Sequence, residues 1–198
     1  MCLSLLRQTT RPAHQILEDR LTGALETISR AGYGMLLAKF LGFYRPMETR
    51  LAVLASTPDF PRQFEPQPRT ALLVRDLSAL GFSENALATM PLCRSLPDLT
   101  GAAQALGALY VLEGAALGGQ VVAPRLQARL GVTPENGVAF FYGAGPRQVA
   151  ARWKAFRQVL ERWPAQSTDA IAEAALQTFQ TFERWLFPDV TASGFEGP

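Results

Sequence analysis

The sequence is poor in the residues that build disulfide frameworks and metal clusters. It has two cysteines, Cys2 and Cys93, and a single histidine, His14, in 198 residues. Two cysteines do not make a disulfide scaffold, and a reducing cytoplasm is the simplest setting for them. We therefore expect a cytoplasmic protein, in which any imidazole ligand to a metal is His14.

Long apolar runs and a strong charge of either sign are also lacking. No stretch approaches the roughly 18 uninterrupted apolar residues of a transmembrane helix, and the N-terminus does not read as a signal peptide. The formal net charge of +2 favours neither nucleic acid nor a membrane surface as a partner. Hydrophobic residues make up 48% of the chain, ample for one large domain. We expect that domain to span residues 1–188, with 189–198 as a flexible tail.

Apolar residues recur at helical spacing almost throughout, which predicts an all-α fold, an irregular bundle of six or more helices. Gly81, Gly131 and several prolines mark where helices end. The first helix begins near Thr9 or Thr10, with Pro12 in its first turn, or it begins earlier and kinks at Pro12. The best strand candidate is the short stretch 138–142. The predicted helices cover 3–27, 30–55 with a bend at Pro46, 69–80, 99–130 with Asp98 as its cap, 147–163 and 167–187, and a proline-rich loop covers 56–68.

Four charged or ligating residues share one face of the first helix: Arg7, Arg11, His14 and Glu18. Their spacings of four, three and four place them on neighbouring turns. A neutral imidazole can bind iron through one nitrogen while the other donates a hydrogen bond to a carboxylate such as Glu18, directly or through water. The guanidinium groups match carboxylates of a ligand. The alternative is a solvated polar face with an incidental histidine.

Three glycines, Gly114, Gly118 and Gly119, interrupt the long apolar helix 99–130. Each costs about 1 kcal/mol relative to alanine in a helix interior. Gly114 and Gly118 lie on one face because they are four residues apart. This pattern indicates either a flat ligand close to the backbone or close packing of two helices. Pro124 predicts a bend in the same helix.

These two segments resemble the haem oxygenase family. The run Leu6–His14 (LRQTTRPAH) resembles the first helix of that family, and Leu109–Gln120 (LYVLEGAALGGQ) resembles its distal helix, commonly Gly-Asp-x-Ser-Gly-Gly-Gln. The form Leu-Glu-Gly-x-x-Leu-Gly-Gly-Gln is closest to the bacterial branch associated with phytochromes. The resemblance covers roughly residues 3–187, in helix order and length.

The resemblance implies a role for each matching residue. His14 corresponds to the proximal iron ligand, and Glu18 supports it. Gly114 and Gly118 correspond to the residues over the haem face, and Gly119 to a source of flexibility in the distal helix. The basic residues that face the haem propionates correspond to Arg7 and Arg11, with Lys154 and Arg157 as candidates from a later helix.

The resemblance also implies a reaction. The expected function is oxidative ring-opening of haem b to biliverdin, with release of carbon monoxide and ferrous iron. Haem is then both substrate and cofactor, a reductase or ferredoxin supplies electrons, and a bacteriophytochrome is a candidate recipient of biliverdin. The chain departs from the common pattern at Ala115, where the family has the aspartate that orders distal water. That departure keeps open a non-catalytic haem-binding or haem-transfer protein, and beyond it a helical protein that binds no haem.

Overall fold

Eight α-helices and one 3-10 turn make up the regular structure of residues 2–188, the part of the chain that the computed structural model describes. The predicted all-α fold is confirmed. The predicted tail 189–198 lies outside the described residues. The helices are α1 Cys2–Glu26, α2 Arg30–Ala55, α3 Thr70–Ala79, α4 Glu84–Ala88, α5 Ala102–Leu130, α6 Ala139–Tyr142, α7 Pro146–Arg162 and α8 Thr168–Leu186, with the 3-10 turn at Ala165–Ser167.

The first helix takes the earlier of its two predicted starts. It begins at Cys2 and continues through Pro12, although proline removes one backbone N–H from the helical ladder. Pro46 lies inside α2 in the same way. As predicted, Gly131 ends α5 in the left-handed conformation (φ +66°), where glycine pays no steric cost. Pro146 opens α7 from its first turn, also as predicted.

The structure departs from the sequence predictions at three places. The strand candidate 138–142 contains the short helix Ala139–Tyr142, because the buried carboxylate of Asp76 accepts the N–H groups of Ala139 and Phe140 and so caps its first turn. Asp98 does not cap α5, which begins at Ala102 after Gly101, too far along the chain for the aspartate to reach. The short helix Glu84–Ala88, capped by Ser83, had no prediction.

The core forms around α5 and α8, which pack against each other more extensively than any other described pair. Gly107 makes their contact close, since a Cβ there would overlap the carbonyl oxygen of Ile171. α1 packs on α8, while α6 and α7 pack on α5. One described helix, α5, is long and apolar enough to cross a membrane by length and composition alone, but half of its most apolar window is buried in the protein.

A cleft between the first and fifth helices

His14 lies on the exposed face of α1. Its side chain is 57% exposed, and its ring meets the edge of Phe179 of α8 at a centroid distance of 5.4 Å. Nδ1 lies 3.6 Å from Oε2 of Glu18, one turn further on. That distance is longer than a hydrogen bond, although a water molecule can bridge such a gap. Nδ1 therefore faces the carboxylate, and Nε2 is the nitrogen turned away from it.

Arg7 and Arg11 extend the same face of α1 toward its N-terminus. Both are exposed, and neither guanidinium lies within 4 Å of a carboxylate among the described residues. The structure thus keeps the predicted group of four on one helix face. Both arginines are available to an anionic partner, because no internal ion pair engages them.

Gly114 and Gly118 of α5 face open space. A Cβ built on either glycine would meet no other atom within 4 Å, apart from the helix's own neighbouring backbone. Leu117 and Val121 flank them, and both are exposed, Val121 to 59%. The face therefore combines bare backbone with apolar side chains. Close packing of two helices, the alternative explanation for these glycines, does not account for Gly114 or Gly118 within the described structure.

Gly119 points the other way, toward α6. A Cβ there would lie 2.6 Å from the carbonyl oxygen of Phe141, a distance that the backbone cannot accommodate. The neighbouring Gln120 donates from its amide nitrogen to the carbonyls of Phe141 (3.2 Å) and Tyr142 (3.0 Å). Packing against α6 is thus a sufficient reason for Gly119. Its predicted contribution to helix flexibility stays a prediction.

A cavity lies between the C-terminal halves of α1 and α5, further along both helices than His14 and the two glycines, none of which lines it. In α1, Leu25 lies eleven residues, about three turns, after His14 and therefore on the same face as His14. In α5, Arg125 lies seven residues, about two turns, after Gly118 and therefore on the same face as Gly118. At the far end, Nε of Arg129 donates to the carbonyl of Ile28 at 3.0 Å and ties α5 to the end of α1. The cavity measures about 440 Å³ and is lined by Thr22, Leu25, Glu26, Val122, Arg125, Leu126, Ala128 and Arg129.

The polar side chains nearest to the glycine face are already engaged. Ala115 occupies the position of the family's aspartate and brings no polar group. Both carboxylate oxygens of Glu113 accept from Arg152 of α7, at 2.7 to 3.0 Å. Gln120 is held at α6, as described above. No side chain among these replaces the missing aspartate.

The two basic candidates of α7 differ in environment. Lys154 is exposed, whereas Arg157 is half-buried and lies 3.8 Å from Glu161, between Nη2 and Oε1. α7 packs against both α1 and α5. The structure thus puts Lys154 and Arg157 on a helix that contacts both walls of the cleft, and their role toward a ligand stays a prediction.

Sequence reasoning missed the arginines at the closed end of the cleft. Arg125 lines the cavity, and Arg129 both lines it and makes the bond that closes it. A signal for Arg125 was present, because its spacing of seven from Gly118 places it on the glycine face. Arg129 left no such signal, since its partner is a backbone carbonyl about a hundred residues away in the chain.

The profile of the family described as "Heme oxygenase" matches residues 2–187, which is nearly the whole chain. No curated protein matches the chain significantly.

Proposed function

The chain belongs to the haem oxygenase family, and we propose that it is a haem-degrading monooxygenase whose substrate lies in the cleft between α1 and α5. Family membership supports haem as the substrate. The observation that supports the site is the pair of open glycines, Gly114 and Gly118, on the face of α5 that continues by helical spacing to the cavity between α1 and α5.

The residues of the cleft fit a haem group. Bare backbone at Gly114 and Gly118 leaves room for a flat molecule, because a Cβ at either position would project into open space. Leu117 and Val121 offer apolar contact to a porphyrin face. Iron in a porphyrin takes a single imidazole on its proximal side, and His14 is the only histidine in the chain. Arg7 and Arg11, which no carboxylate of the described residues engages, suit the propionate carboxylates.

Each of these residues then has a defined task. His14 would hold the iron, and Glu18, which faces Nδ1 at 3.6 Å, would accept from it through a water molecule and so fix the tautomer and the ring orientation. Arg7 and Arg11, with Lys154 and Arg157 from α7, hold the propionates and so set the rotation of the substrate in its plane. Gly114 and Gly118 bring the α5 backbone against the other face and exclude side chains from it.

Bound haem supplies the redox chemistry, in which molecular oxygen and electrons from an external donor open the ring to biliverdin with release of carbon monoxide and ferrous iron. The donor is a reductase or ferredoxin. Ala115 has no polar group, Glu113 is held by Arg152, and the amide nitrogen of Gln120 is held at α6, so ordered water is the proton carrier that this proposal requires beside Gly114. A bacteriophytochrome is the recipient that the phytochrome-associated sequence pattern suggests.

One observation favours a second function, non-catalytic haem binding or transfer. The distal aspartate is replaced by Ala115, and the neighbouring polar side chains are held elsewhere. On this alternative the protein binds haem through His14 and releases it unchanged.

Aerobic turnover separates the two functions. The haem complex is mixed with ascorbate, or with ferredoxin, its reductase and NADPH, while the optical spectrum and released carbon monoxide are followed. We expect the Soret band to decay into a biliverdin spectrum, with about one carbon monoxide per haem. A Soret band that persists with every donor would reject the oxygenase function and leave the haem carrier.

A further inference from the structure

Glu113 and Arg152 form an ion pair directly beside the open face of α5. Glu113 is buried and precedes Gly114. Nε of Arg152 donates to both carboxylate oxygens (3.0 and 2.9 Å), and Nη2 donates to Oε1 (2.7 Å). Nη2 also donates to the carbonyl of Glu65 (2.9 Å), and the guanidinium lies 4.4 Å from the ring centre of Phe64. One arginine of α7 thus joins α5 to the proline-rich segment 56–69.

Around Glu113, α5 packs on the core through buried Leu109, Val111 and Leu112, while the side that carries Gly114 and Gly118 is open. Gly107 fits against α8 before this stretch of α5, and Gly119 fits against α6 after it. Between these two contacts, Gly114 and Gly118 have no side chains and no packing partners on their open face. Glycines also make this part of the helix easier to distort than an alanine helix. Between Gly107 and Gly119, Glu113 is the charged residue through which α5 contacts Arg152 of α7.

We propose that the Glu113–Arg152 pair is a positioning device that acts together with the core packing to fix the rotation of α5 and thereby the distance of Gly114 and Gly118 from a ligand in the cleft. Successive helical residues differ by about 100°, so a turn of the helix at Glu113 moves Gly114 by the same angle. The identity of the ligand rests on the proposed function, but the rotational restraint belongs to the protein without ligand. For haem, this restraint selects the ring edge that reacts and hence the biliverdin isomer.

Hydrogen exchange on the ligand-free protein tests the restraint. Glu113→Gln keeps the shape of the side chain but removes its charge, and Arg152→Lys keeps the charge but loses the two-pronged contact. In each variant we expect backbone amides of residues 114–118 to exchange about tenfold faster or more, while amides in the middle of α8 keep their rates. Glu173→Gln is the matched control, since it removes an exposed carboxylate of α8 that accepts from Gln177 of the same helix.

The product isomer ratio provides a readout that a purely structural role would not move. Wild type and Glu173→Gln are expected to give one dominant biliverdin isomer, and Glu113→Gln a mixture. Unchanged exchange at 114–118, or equal acceleration in all helices, would overturn the proposal, as would a variant with faster exchange and an unaltered isomer ratio. If the wild type fails to bind haem, the proposed function fails, while the exchange experiment still decides whether the pair restrains α5.

Discussion

Asp76 of α3 illustrates how one side chain can hold a distant element. Its buried carboxylate accepts the N–H groups of Ala139 (2.8 Å) and Phe140 (2.7 Å), the first turn of α6. α6 in turn presents the carbonyl of Phe141, against which Gly119 of α5 packs. The position of α5 beside the cleft therefore depends on a carboxylate that does not touch the cleft.

Burial raises the pKa of Asp76 above its ordinary value of 3.8, although the two backbone N–H groups oppose that shift. The folded protein thus binds a proton more tightly than the unfolded chain. This contribution to the free energy of unfolding is present below pH 3.8 and falls as pH rises through the raised pKa.

Replacing Asp76 with alanine tests both effects. At neutral pH we expect Asp76→Ala to lower the free energy of unfolding by about 2 kcal/mol or more, because two buried N–H groups lose their acceptor. We also expect the stability advantage of the wild type over the variant to decrease as pH rises from about 4. Urea unfolding of both proteins across that pH range measures the two quantities, and an advantage that grows with pH would contradict the assignment.

At the scale of the element, α5 carries glycines of two kinds. Gly107 and Gly119 fit against backbone atoms of α8 and α6, whereas Gly114 and Gly118 face open space. The first kind is needed for the fold. The second kind carries the usual cost of a helical glycine, and no packing contact within the described structure explains it.

Alanine at these four positions should therefore have effects of opposite sign. Gly114→Ala and Gly118→Ala are expected to raise the free energy of unfolding of the ligand-free protein, each by up to about 1 kcal/mol. Gly107→Ala and Gly119→Ala are expected to lower it by about 1 to 3 kcal/mol, since their Cβ atoms overlap backbone. Thermal unfolding of the four variants measures these differences. A destabilising effect at Gly114 or Gly118 would show that their open face is packed in solution.

A larger substitution on the open face of α5 separates the effect on folding from the effect on ligand binding. Gly118→Leu places a large side chain over the open face, so haem affinity should fall while the ligand-free protein stays folded. Val121→Leu is the control, because this neighbouring position is already occupied by an exposed apolar side chain.

At the scale of the whole molecule, local patterns were sufficient for most helix bounds. Gly131 and Pro146 mark helix boundaries because of their own backbone properties, which can be recognised from the sequence alone. Interactions between residues far apart in the chain could not be predicted from such local patterns. Asp76 turns 139–142 into a helix from 63 residues away, and Arg152 engages Glu113 across 39 residues.

The candidate site also has one part that local sequence patterns predict and one part that depends on packing between helices. The spacing of Arg7, Arg11, His14 and Glu18 was enough to place them on one face of α1, because helical periodicity is local. Whether a glycine faces a neighbour or open space depends on how the helices pack. The pattern of three glycines therefore indicated a site without separating Gly119 from Gly114 and Gly118.

The central claim is that His14 holds haem in the cleft between α1 and α5. An optical titration with hemin tests it most directly, on wild type, His14→Ala and the control Gln15→Ala, which alters an exposed neighbour bonded only to Asp19. We predict a saturable, shifted Soret band for the wild type and Gln15→Ala, and its loss or replacement by the spectrum of a complex without histidine ligation in His14→Ala. The same histidine-ligated band in His14→Ala, or no shifted band in the wild type, would contradict the account.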